Sequence, residues 1–159
     1  MEKNEFLKLI KKDRYQVFLF SSPLPLPVIF ASHVWIVTAR KGKLTRWEGW
    51  DRKKLIKKSY GYIYSNLFKD PTVGVALFPF SRYPRWQGSL VNFIEGKRGS
   101  IAEKIVMFMN LKARAYPFAF RYLMIPGPNS NTFVQWVLNH FPDSGLKLPW
   151  NAFGKNYLG

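Results

Sequence analysis

Apolar residues along the chain fall into short runs whose length and composition are typical of β-strands. Segments 14–21, 31–39, 44–50 and 73–80 contain many β-branched and aromatic residues, so we predict a strand in each. Gly42 separates the second segment from the third, which favours a hairpin between them. An antiparallel sheet is therefore expected from the first half of the chain.

Three other segments show apolar residues at three- and four-residue spacing, which indicates helices. Residues 2–12 predict a short amphipathic helix, and its apolar side comprises Phe6, Leu7, Leu9 and Ile10. Ser100 and Glu103 form a capping box that begins a second helix, which ends near residue 113. A third helix is expected near residues 131–140.

This order of elements predicts an α+β fold. We expect residues 1–13 to form the amphipathic helix and residues 14–159 to form a single α+β domain. In that domain the antiparallel sheet packs against the two later helices.

The composition adds a hydrophobic core and a strong positive charge. The 159 residues are 47% hydrophobic and 18% aromatic, which suffices for one domain with a core. The chain has no Cys and two His, which excludes thiolate nucleophiles; we expect neither a metal site nor a cofactor. Lys and Arg number 25 against nine Asp and Glu, a net charge of +16. This charge favours an anionic partner, whether polymer, lipid headgroup, peptide or nucleic acid.

One segment concentrates the basic side chains. The residues predicted to bind anions are Arg52, Lys53, Lys54, Lys57 and Lys58. Three tyrosines follow at alternate positions, and basic residues beside aromatics can hold phosphates and stack bases. A charged run is more commonly a solvated face, and no helix-turn-helix, zinc-finger or RNA-recognition signature accompanies this one.

The hydropathy of the chain is used to predict where in the cell the protein is located. No apolar run reaches membrane-spanning length, and the N-terminal residues lack the features of a signal peptide. A cytoplasmic location is expected, with peripheral attachment to a membrane as the alternative.

Candidate chemistry lies where the turn Pro126-Gly-Pro leads into the third helix. Ser130 would lie at the positive end of the helix dipole, which suits a nucleophile and is equally ordinary for a cap. His33 and Glu48 lie on the predicted hairpin. If the turn centres on residues 41–42, Glu48 is opposite Trp35 and diagonal to His33, within reach of the imidazole. The alternative is that His33 is a hydrogen-bonded core residue and that Ser130 only caps the helix.

Several strings together resemble a bacterial family known as domain of unknown function 3750. They are Pro-Gly-Pro-Asn-Ser-Asn-Thr-Phe-Val at 126–134, His-Val-Trp-Ile-Val from 33, Arg-Trp-Glu-Gly-Trp from 46, and the stretch from Leu148-Pro to Gly154-Lys-Asn-Tyr. The resemblance covers most of the chain from about residue 14. The family label implies no activity.

A weaker resemblance is to circularly permuted papain-like proteins of the NlpC/P60 and lecithin-retinol acyltransferase-like groups. In those proteins an early strand carries the catalytic His, and an Asn-Cys-x-x-Phe pattern begins a later helix. The string from Asn129 to Phe133 is similar to that pattern, with Ser130 in place of the Cys. This resemblance implies a papain-like architecture with His33 as base and Glu48 as the residue that orients it.

The change from Cys to Ser bears on the mechanism, because a hydroxyl needs a positioned base throughout its attack. The resulting hypothesis is a serine-dependent amidase, esterase or acyltransferase whose catalytic residues are Ser130, His33 and Glu48. The residues expected to contact substrate are Asn129, Asn131, Thr132, Trp35 and Trp86. The alternative is a non-catalytic basic module that binds an anionic nucleic acid, lipid headgroup or peptide.

Overall fold

The computed structural model describes residues 1–158, which contain seven strands and three α-helices. The strands are β1 (Tyr15–Pro23), β2 (Ser32–Arg40), β3 (Lys43–Ile56), β4 (Ser59–Ser65), β5 (Val73–Ala76), β6 (Arg85–Gln87) and β7 (Ser89–Gly96). The helices are α1 (Lys3–Lys8), α2 (Ile101–Lys112) and α3 (Ser130–Asn139), and short 3₁₀ turns lie at 113–115, 142–144 and 155–158.

Five strands form one sheet in the order β4-β3-β2-β1-β7, and each neighbouring pair is antiparallel. Strands β5 and β6 form a separate two-stranded sheet. The predicted α+β class and antiparallel sheet are thus confirmed. The register between β2 and β3 runs from Arg40–Lys43 to Ile36–Trp47, which confirms the hairpin turn at residues 41–42.

Side-chain alternation divides the core between the two faces of the sheet. Val34 and Ile36 of β2 lie on the face that α2 and α3 cover. Trp35 and Val37 lie on the opposite face, where α1 adds Phe6. A sheet covered on both faces explains why every residue of β2 except Arg40 is buried.

Helix α1 is shorter than predicted and presents a narrower apolar side. Phe6 is fully buried, with edge-to-face contacts to Phe18 and Phe20. Leu9 and Ile10 pack on the same cluster because they follow Phe6 by three and four residues. Leu7 is 43% exposed, so its predicted place on the apolar side was wrong.

Two of the predicted strands end several residues from the expected positions, and some strands were not predicted. The strand expected at 44–50 continues to Ile56, so the basic run is the outer part of a hairpin with β4. The strand expected at 73–80 ends at Ala76. Strand β7 was not predicted; Val91 is an extra residue between the pairs Leu19–Asn92 and Phe20–Leu90, and this bulge breaks the alternation that reveals a strand.

No helix in the described part of the chain combines the length and apolarity needed to cross a membrane.

Candidate functional site

The start of α3 lies in a split between β2 and β3. The two strands pair only as far as Ile36–Trp47, and beyond that point β3 pairs with β4 alone, with a register shift between Gly49 and Lys54. Gly49 of β3 packs against the helix start: a Cβ built on it would lie 2.9 Å from the Ser130 Cα. The missing side chain is therefore what lets the helix approach the sheet this closely.

Two side chains of α3 satisfy the main-chain groups of β2 that the split leaves without a strand partner. The Val34 N–H donates to Asn131 Oδ1 at 3.0 Å, and Ser130 Oγ donates to the Val34 carbonyl at 2.7 Å. Asn131 Nδ2 also donates to the Ser32 carbonyl at 2.8 Å. Ser130 and Asn131 thus replace the neighbouring strand, because buried backbone groups require partners.

Residues 129–132, here called the α3 motif, also cap helix α3. Asn129 Oδ1 accepts from the Asn131 and Thr132 N–H groups at 2.9 and 3.2 Å. These two amides are therefore engaged by the cap.

The motif is tied as well to the C-terminal segment. Thr132 Oγ1 donates to the Gly154 carbonyl at 2.7 Å, and the side-chain amides of Asn129 and Asn131 donate to the Phe153 carbonyl at 3.2 and 2.8 Å. These bonds make the start of α3 a junction between the sheet and the C-terminal segment.

A buried polar cluster lies across the same split. His33 Nε2 is 3.0 Å from Glu48 Oε2, as the predicted register implied. Arg46 places Nη2 2.8 Å from Glu48 Oε2 and Nε 2.8 Å from Oε1. The Arg46 guanidinium also lies 4.2 Å from the centre of the Trp35 ring, a cation–π distance. All four side chains are at most 5% exposed.

The charges in this cluster determine which His33 nitrogen carries a proton. Burial alone would raise the pKa of Glu48, but the Arg46 guanidinium and the hydrogen bond from His33 hold that pKa below its ordinary value. Glu48 is therefore an ionised acceptor, so His33 Nε2 carries the hydrogen that it donates. No described residue forms a hydrogen bond with His33 Nδ1.

A small cavity of about 40 Å³ lies at the split, and both His33 and Ser130 line it. The cavity is large enough for a water molecule or two. Asn129 and Asn131 also line it, and Met124 and Phe153 contribute apolar surface. In the described residues the Ser130 hydroxyl is bonded to Val34 and not to His33.

Tyr122 is a lining residue that the sequence analysis missed. Burial and the Asp51 carboxylate raise the pKa of its phenol, and the Ser130 backbone amide opposes that rise. The phenol therefore stays protonated at neutral pH, and its O–H can donate into the cavity where the Ser130 amide also lies.

Two of the expected substrate contacts are fully buried. Trp35 lies in the core, where its Nε1 donates to the Pro71 carbonyl at 2.9 Å, and Thr132 is enclosed by the cap. Neither has surface to offer a substrate in this structure. Trp86 is half-buried and donates to the Leu24 carbonyl at 3.3 Å.

Arg46 was also missed as a member of the site, although the sequence carried a signal. It precedes Glu48 by two residues on a predicted strand, so the two side chains share a face. The predicted anion-binding residues, Arg52 to Lys58, lie apart from this cluster and are exposed on the β3–β4 hairpin.

Among residues 1–158, no group of three or more His, Cys, Asp or Glu side chains is placed to hold a metal ion. A family model described as "Protein of unknown function (DUF3750)" matches residues 14–157. No curated protein and no solved structure matches the chain significantly.

Proposed function

Because the chain belongs to this family of unknown function, DUF3750, we propose its activity from the site itself: it is a serine-dependent hydrolase or acyltransferase that acts on an amide or ester. Ser130 is the nucleophile, His33 the base and Glu48 the residue that orients His33. The observation that carries the proposal is that His33 and Ser130 line one cavity while Glu48 engages Nε2 of the imidazole. This arrangement also supports a papain-like architecture.

The proton transfers follow from the hydrogen bonds around His33. With Nε2–H donated to Glu48, the lone pair on Nδ1 is the site that accepts the Ser130 proton. The hydroxyl must first leave its bond with the Val34 carbonyl. Ser130 Oγ then attacks the acyl carbonyl, and His33 returns the proton to the departing amine or alcohol. Water or an acceptor alcohol or amine later releases the acyl group with His33 again as base.

Charge on the carbonyl oxygen needs donors in the transition state. Because the cap occupies the amides that follow Ser130, we assign this role to the Tyr122 O–H and to the backbone N–H of Ser130, which must turn from the Tyr122 oxygen to the substrate oxygen. Both lie at the cavity. Removing one such donor from an acyl-transfer enzyme lowers kcat by roughly 10²–10³-fold.

A fluorophosphonate probe tests the nucleophile, because it reacts with activated serines irrespective of the substrate. The folded protein should become labelled at Ser130, and Ser130→Ala and His33→Ala should each abolish labelling. Ser100→Ala is the matched control, since Ser100 also lies at a helix start but has no His beside it. Absence of labelling in the folded protein, or labelling that survives Ser130→Ala, would reject the proposal.

A further inference from the structure

The exposed apolar side chains are gathered at one end of the sheet. Of the eighteen large hydrophobic residues exposed in the described chain, fourteen belong to the β3–β4 hairpin tip and to four loops at the cavity end. These loops, 24–31, 77–84, 117–128 and 150–153, together with the tip are here called the apolar rim. Monomeric proteins rarely expose so much apolar surface in one place unless it binds something.

Contacts between the loops show that the rim is continuous. Phe30 packs against Phe153 with ring centres 6.2 Å apart, and the Leu26 N–H donates to the Leu77 carbonyl at 2.9 Å. Tyr60, opposite Leu55 near the tip of the hairpin, packs against Phe120 with ring centres 4.9 Å apart. The rim therefore passes from the hairpin to the mouth of the cavity.

The hairpin tip has aliphatic side chains between cations. Leu55 and Ile56 are 65% and 55% exposed. Lys54 precedes them and Lys57 follows, and both are exposed. Asp51 is the one carboxylate in residues 51–58 and the four loops, which hold seven Lys and Arg. The rim is thus both apolar and cationic.

We propose that the apolar rim docks the protein on an anionic lipid bilayer, with Leu55 and Ile56 inserted among the acyl chains and the hairpin lysines bound to headgroups. Aliphatic side chains gain free energy from leaving water for lipid. They gain nothing from a nucleic acid, whose binding uses phosphate contacts and aromatic stacking. Charge complementarity selects anionic lipid over zwitterionic lipid. The docking does not require that Ser130 be catalytic.

Co-sedimentation with vesicles tests the docking. The full chain should bind vesicles of phosphatidylcholine with about 30 mol% phosphatidylglycerol and should bind pure phosphatidylcholine about tenfold more weakly or not at all, because only the anionic surface attracts the lysines. Binding should fall as salt rises. Equal affinity for the two kinds of vesicle would contradict the claim that anionic headgroups attract the rim.

Matched variants separate insertion from charge. Leu55→Ser with Ile56→Ser should weaken binding to the anionic vesicles about tenfold or more. Val91→Ser on β7, at the far edge of the sheet, should change nothing. Lys53→Glu with Lys54→Glu should act similarly to the tip variant, whereas Lys12→Glu with Lys43→Glu, near the turn at the opposite end of β3, should have a much smaller effect.

Trp150 provides a readout of depth, because it is 79% exposed on the rim. Lipids brominated on the acyl chains should quench its fluorescence, and Trp150→Phe should remove most of that quenching. The proposal is overturned if the tip variant binds the anionic vesicles as the parent does. It is also overturned if the protein binds heparin or an oligonucleotide but not vesicles.

Discussion

Helices α2 and α3 each have a serine at their start, in very different surroundings. At α2, Ser100 Oγ accepts from the Glu103 N–H at 3.2 Å and Glu103 accepts from the Gly99 N–H at 2.6 Å, all within four residues and largely exposed. At α3, the capping side chains are buried and bond to segments about twenty and a hundred residues away. The same residue types act as a local cap in one helix and as a tertiary joint in the other.

The carboxylate beside each helix start provides the largest expected contrast. Glu48→Gln should lower the free energy of unfolding by about 3–5 kcal/mol, because it leaves the buried Arg46 charge without its counter-ion. Glu103→Gln at the start of α2 should leave the denaturation midpoint almost unchanged, since the amide oxygen of Gln can still accept from the Gly99 N–H and no buried charge loses its counter-ion. Urea unfolding of both variants measures the contrast, and equal losses would contradict it.

Glu48 should also make the free energy of unfolding depend on pH. Because the pKa of Glu48 is lower in the folded protein than in the unfolded chain, its contribution is present above the unfolded pKa and is lost as pH falls through the folded pKa. Unfolding followed between pH 7 and pH 3 (roughly the range in which carboxylates titrate) should show a loss of stability in acid that is smaller in Glu48→Gln. An unchanged slope in the variant would count against this linkage.

The asparagines of the two helices give the next contrast. Asn131→Ala removes three hydrogen bonds with main-chain groups, one accepted and two donated by the side chain. We therefore expect the free energy of unfolding to fall by about 2–4 kcal/mol. Asn110→Ala on α2 removes one bond from an exposed side chain and should cost less than about 0.5 kcal/mol. Thermal unfolding monitored by circular dichroism compares them.

A glycine of the sheet faces the first serine of each helix. Gly49→Ala should lower the free energy of unfolding by about 1–3 kcal/mol, because the added Cβ would clash with the main chain of Ser130. A Cβ at Gly96 would meet only the side chain of Ser100. Adding Ser100→Gly should therefore rescue Gly96→Ala, whereas Ser130→Gly should not rescue Gly49→Ala. Rescue of both would show that the main-chain contact is not the cause.

The smallest difference in stability is expected between the serines themselves. Ser100→Ala should lower the free energy of unfolding by about 1 kcal/mol, since it removes a local cap bond, and Ser130→Ala by about 1–3 kcal/mol, since it leaves the buried Val34 carbonyl without that hydrogen bond. The two variants should differ mainly in labelling by the fluorophosphonate probe. A loss of several kcal/mol in Ser130→Ala alone would indicate a purely structural residue.

Local patterns were sufficient for much of the fold. The turn at Gly42 set the register that brings Glu48 to His33, and the capping box at Ser100 marked the start of α2. Strand β7 escaped prediction because a bulge interrupts its alternation. Leu7 was misplaced because a helix as short as α1 buries only a narrow stripe.

Part of the site was predicted and part was not. The sequence pointed to Ser130, His33 and Glu48 because each has an identifiable chemistry, and it missed Tyr122 because that residue precedes a loop without regular spacing. It also predicted that Trp35 contacts substrate, because an aromatic residue on a strand gives the same sequence pattern whether its side chain faces the core or solvent.

The sequence by itself determined the α+β class and the hairpin register, because these depend on residues close together in the chain; it did not identify Asn129 as the α3 cap. Only the tertiary structure decided that β2 and β3 separate after Trp47 and that the α3 motif fills the gap. The tertiary structure alone also brings the exposed apolar loops together at the end of the sheet where β2 and β3 separate. Such contacts join segments up to about a hundred residues apart, and their free energy depends on burial, which local periodicity does not encode.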